Sequence, residues 1–91
     1  MKKSEELISR NIELSAEFSR HLFEHPELER KIPPDAEIVL LPEFDPELKR
    51  FNLKLGRRIE REGGKVFYVK IPKLRPKQVS RIESVEEGSK V

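Results

Sequence analysis

With 91 residues the chain has room for one small domain and a limited core. Its 35% hydrophobic and 40% charged residues stand against globular norms of roughly 45–50% and about 25%, and the lack of cysteine excludes disulfides, thiolate metal sites and a cysteine nucleophile. No apolar run approaches the roughly 18 residues of a membrane span, and Met1-Lys2-Lys3-Ser4-Glu5-Glu6 leads into an amphipathic pattern rather than an apolar leader, so the chain reads as a soluble cytoplasmic protein.

The net charge of +2 conceals a strong sorting along the chain. Residues 1–48 hold six Lys/Arg against twelve Asp/Glu, residues 49–81 hold twelve against two, and residues 82–91 hold one against three. Such segregation points to nucleic acid, a membrane surface or an acidic partner, without naming a reaction. Heavy use of Lys, Glu and Arg with a single Met is the profile of a thermophile, in which ion-pair networks contribute to stability.

From Leu7 to Phe23 the apolar residues Leu7, Ile8, Ile12, Leu14, Phe18, Leu22 and Phe23 share about half of a helical wheel. Ser4 is the expected N-cap, and Pro26 takes His25 out of helical geometry, ending the first helix near Glu24. Asn11, Ser15 and Ser19 run down the apolar face. Close helix packing accounts for them, a polar binding seam being the alternative. Glu17, His21 and His25 have helical spacing that could serve a metal, but Pro26 spoils the geometry and no cofactor is expected.

After a turn-rich passage with Pro33-Pro34-Asp35, the unbroken run Ile38-Val39-Leu40-Leu41 reads as a strand covered on both faces, ended by Pro42. Asp45-Pro46 then supplies an N-cap and a first-turn proline. The second long helix is expected from about Pro46 to Glu62, burying Leu48, Phe51, Asn52, Leu55 and Ile59 and stopping at Gly63-Gly64. Val66-Phe67-Tyr68-Val69 with Ile71 gives a second strand. His25-Pro26-Glu27-Leu28 echoes Asp45-Pro46-Glu47-Leu48 as the same helix-start chemistry written twice.

Strand, helix, strand makes a right-handed βαβ unit. The predicted fold is therefore a small α/β domain, α-β-α-β, over residues 1–75, followed by a charged tail over 76–91. Two parallel strands leave open edges, so either a tail strand within Gln78 to Val85 or a second subunit should complete the sheet, and a homodimer or larger homo-oligomer is expected.

Opposite the buried face of the second long helix, Arg50, Lys54, Arg57, Arg58 and Arg61 form a basic stripe that Lys65, Lys70, Lys73, Arg75, Lys77 and Arg81 continue. Arginine forks suit carboxylates and phosphates. The stripe can serve as a solvated face paired with acids on the first helix or a neighbouring subunit, as a surface for an acidic protein partner, or as a sequence-tolerant grip on nucleic-acid phosphates. In the turn after the first strand, Glu43 and Asp45 could hold a cation, although capping accounts for Asp45 as well. No nucleophile elbow or phosphate-binding glycine loop is present, so an enzyme is not expected. The leading expectation is a non-enzymatic, self-associating protein-interaction module.

Taken together, Glu17-Phe18-Ser19-Arg20, His25-Pro26-Glu27, Leu41-Pro42-Glu43, Asp45-Pro46-Glu47-Leu48 and Val66-Phe67-Tyr68-Val69-Lys70-Ile71 resemble a family of short archaeal and bacterial proteins of unknown function, over about residues 5–75. The resemblance implies neither an activity nor site residues.

Overall fold

The structure, a computed structural model, describes residues 2–76 and Ser84. Helix α1 spans Lys2–Glu24 and a single helical turn, α2, spans Pro26–Glu29. Strand β1 (Glu37–Pro42) leads into helix α3 (Pro46–Arg61), and strand β2 (Val66–Ile71) closes the unit. The two strands pair in parallel, Leu40 opposite Val69 and Pro42 opposite Ile71. The α/β arrangement with its βαβ unit is thus the one the sequence predicts. The candidate tail strand, Gln78 to Val85, lies outside the described residues apart from Ser84.

Local chemistry explains most element boundaries. The Asp45 carboxylate accepts from the Leu48 amide at 3.2 Å, satisfying one of the first-turn donors that no carbonyl can reach. At the other end of α3, Gly63 turns the chain with φ 91°, a conformation that glycine adopts without steric cost. His25 leaves the helical region at φ −132°, ψ 70°, as a residue before proline must. Ser4, the expected cap, instead lies inside α1, which already includes Lys2. Within the added residues Lys3 pairs with Glu47 of α3 at 2.9 Å.

Strand β1 ends at Pro42, as expected, with the proline itself its last residue. The amides of Glu37 and Glu43 donate to Lys65 and Ile71 at 2.8 and 2.9 Å, and alternation along a parallel ladder turns the main-chain groups of residues 38, 40 and 42 away from β2. Proline therefore stands where its missing N–H breaks no ladder bond.

The core joins Leu7, Leu14 and Phe18 of α1 with Leu40 and Leu48, and Val69 and Ile71 pack against it. Val39 and Leu41 are buried on the opposite face of β1. There α3 comes close enough to Tyr68 that a methyl on Gly56 would stand 2.6 Å from the ring. Consequently the buried row of α3 is Leu48, Asn52, Gly56, one step round from the expected face. Leu55 is 42% exposed while Leu48 and Asn52 are each 2% exposed.

On α1 the buried set is likewise narrower than the apolar half-wheel. Ile8, Ile12 and Phe23 are exposed, Phe23 by 88%. Of the polar seam, Asn11 packs, its Oδ1 accepting from Asn52 Nδ2 at 3.0 Å, whereas Ser15 and Ser19 lie in the open.

Candidate interaction surface

The same Asn52 amide donates to the Leu40 carbonyl at 2.9 Å. Leu40 points that carbonyl away from β2, so a helix side chain satisfies an outer-edge group of β1 that β2 does not reach. Asn52 therefore fixes how α3 is rotated upon the sheet, and through that rotation decides which residues α3 turns outward.

Outward of this buried row come Phe51, half-buried, and the exposed Leu55, and beyond them the basic residues. Phe51, Lys54, Leu55, Arg57, Arg58 and Arg61 line one depression of about 490 Å³. Four of the five stripe residues named from the sequence thus share a single concavity, and Arg50 lies exposed beside it. The apolar floor was hidden at the sequence level because Leu55 matched the expected core period. The signal available was the row Leu48-Asn52-Gly56 at four-residue spacing, with a glycine that suits close approach to a sheet.

Acids among the described residues leave this surface largely alone. Among the described residues, one ion pair involves the stripe, Arg58 with Glu62 at 3.9 Å, both largely exposed; such a pair contributes little. The acidic groups of the turn before α3 are engaged elsewhere. Arg10 of α1 spans Asp45 and Glu47 at 2.8 and 2.6 Å, and Lys49 reaches Glu43 at 2.6 Å. Hydrogen bonds from Lys3 and Arg10 hold the Glu47 carboxyl below its ordinary range, and a hydrogen bond from Lys49 does the same for Glu43. The cation reading of Glu43 and Asp45 gives way to this clasp, since each carboxylate already faces a cationic side chain.

His21 and His25 stack at the end of α1, ring centroids 4.1 Å apart, with His25 Nδ1 2.9 Å from the His21 carbonyl. Among the described residues, no group of three or more His, Asp or Glu side chains is gathered as a metal site would require. Nor, among these residues, is any helix long and apolar enough to cross a membrane.

The match to known families covers this whole framework. The model of DUF5647, a family of unknown function, fits residues 6–85, which takes in α1 from its second turn, both strands, α3 with its basic face, and part of the segment beyond β2. The chain belongs to this family. No curated protein and no solved structure matches it significantly. The basic surface on α3 therefore lies within the region matched by the DUF5647 family.

Proposed function

We propose that this DUF5647 chain is a non-enzymatic, self-associating interaction module of the prokaryotic cytoplasm that receives an acidic protein segment on the outer face of α3. The observation that carries the reading is the anatomy of that face. Phe51 and Leu55 form an apolar floor, and Lys54, Arg57, Arg58 and Arg61 form its basic rim. Protein interfaces combine an apolar centre with a polar rim in this way, arginine being enriched there. An acidic amphipathic helix fits it, laying leucines on the floor and carboxylates against the arginines.

A second reading, sequence-tolerant nucleic-acid binding, draws on the same cations and on their sparse pairing with acids among the described residues. The two differ in what they ask of the floor and in their response to salt, because phosphate binding weakens steeply as ionic strength rises. Fluorescence anisotropy with a labelled acidic amphipathic peptide, and separately with duplex and single-stranded DNA, at 50 and 150 mM salt separates them. The account expects peptide binding that persists at 150 mM and is abolished by Arg57→Glu with Arg61→Glu. DNA binding that exceeds peptide binding at both salts would transfer the surface to the second reading, and peptide binding unchanged in the double variant would remove α3 from the first.

A further inference from the structure

The outer edge of β2 carries a second surface, distinct from α3. Because Lys65 and Ile71 turn their carbonyls to β1, the intervening register directs the N–H and C=O groups of Val66, Tyr68 and Lys70 away from it. Among the described residues the sheet has two strands, in the order β1-β2, so these three residues present a row of donors and acceptors in the geometry a third strand requires. The outer edge of β1 is treated differently, since Asn52 occupies its Leu40 carbonyl. Among the described residues, one edge is closed by a side chain and the other is left patterned for pairing.

We infer that this edge pairs with the same edge of a second copy, antiparallel about a two-fold axis at Tyr68, forming a continuous four-stranded sheet, β1-β2-β2-β1. The inference rests on the self-association proposed above and specifies its surface. Three features select a second copy as the occupant. First, the strand is self-complementary in this register. Val66 faces the partner copy's Lys70, Tyr68 faces Tyr68, and Phe67 faces Val69, so two apolar cross-strand pairs form and no lysine stands opposite another. Second, a two-fold axis pairs all three outward residues at once, which an isologous interface requires. Third, an exposed apolar flank is available to a second copy. Ile8, Ile12 and Phe23 project from α1 opposite to Lys3 and Arg10, the residues that reach α3, and so face away from α3. All three are exposed. The competing occupant within the chain, Gln78 to Val85, places Val79, Ile82 and Val85 three residues apart, a spacing that does not keep one face of a strand apolar.

The full chain supplies its own test through amide hydrogen exchange by NMR, read beside mass from light scattering. At high micromolar concentration the account expects a dimer and slow exchange at Val66, Tyr68 and Lys70, with protection lost at these three amides on dilution while those of Phe67 and Val69, bonded to β1, stay protected. Lys70→Pro, which removes an outward N–H and leaves the β1 ladder intact, should convert the dimer to a folded monomer. A single cysteine in this cysteine-free chain adds a register test: Tyr68→Cys should cross-link to its copy under oxidation, because directly opposed Cα atoms lie within disulfide reach, and Lys70→Cys should not. A monomer with concentration-independent protection of the three amides would give the edge to the tail and overturn the inference. A dimer with all three amides unprotected would also overturn it, while leaving self-association through another surface standing.

Discussion

Replacing Asn52 by Asp changes one atom group in the most buried polar side chain, and the structure sets the expected cost. Asn52 Nδ2 donates to two oxygens, Leu40 O at 2.9 Å and Asn11 Oδ1 at 3.0 Å, while its own Oδ1 is buried without a protein donor. Truncation by Asn52→Ala removes two hydrogen bonds, each worth about 1 kcal/mol net, and strands the Leu40 carbonyl at about 1–3 kcal/mol. It also removes the unsatisfied Oδ1, which offsets part of that loss. The sum is a destabilisation of about 2–3 kcal/mol. Asn52→Asp keeps the shape but sets a carboxylate against the Leu40 carbonyl, adding buried charge that a flipped Asn11 amide alone could partly satisfy. At pH 7 it should therefore cost more than the alanine variant. The folded-state pKa of this carboxyl would be raised above the unfolded value of about 3.9, so the penalty grows as pH rises above about 4 and disappears below it. Urea unfolding of the three proteins at pH 7 and at pH 4 measures this directly. An aspartate variant as stable as wild type at pH 7 would refute the idea that this amide fixes α3 on the edge of β1.

Other consequences follow from the same packing. Leu48→Ala should cost about 2–5 kcal/mol, whereas Leu55→Ala should cost under about 1 kcal/mol, because 42% of Leu55 is exposed; thermal unfolding of the pair distinguishes the observed α3 face from the one its apolar period suggests. Gly56→Ala would push a methyl to 2.6 Å from the Tyr68 ring and displace the phenol from Glu60, its partner at 2.6 Å. Overpacking of about 1–3 kcal/mol, set against about 1 kcal/mol of helix propensity, leaves a net loss of about 1 kcal/mol in urea unfolding. The depressed carboxyls of Glu43 and Glu47 stabilise the fold fully above their ordinary value of 4.5 and lose that contribution as pH falls through the depressed folded values. Wild-type stability in urea unfolding followed by circular dichroism should therefore fall as pH drops below about 4.5, and Arg10→Met with Lys49→Met should lower stability at neutral pH and flatten that dependence.

Much of this fold is legible in the sequence because its local signals agree. Asp45-Pro46 opens α3, Gly63 closes it, Pro26 ends α1, and two β-branched runs flank the helix, so parallel pairing follows from connection length alone. Facing was harder to read. Leu55, Ile8 and Ile12 obey the helical period of a core, yet Gly56 and Asn52 turn α3 toward the sheet on a narrower row, and two strands are too small a platform to cover half of α1. Hydrophobic period reports which residues could be buried; the shape of the partner surface decides which are. The basic stripe was legible for the complementary reason, since a face without apolar residues cannot turn inward. Its apolar floor was not, because it consists of residues whose period assigned them to the core.

The most direct test of the α3 surface is Leu55→Ser, which removes the exposed half of the floor without altering charge. Anisotropy titrations of this variant at 150 mM salt, with the labelled acidic amphipathic peptide and with duplex DNA in parallel, separate the two uses of the stripe. The account predicts peptide affinity reduced about tenfold, the equivalent of about 1.4 kcal/mol, with any DNA binding unchanged. Peptide affinity equal to wild type would contradict it.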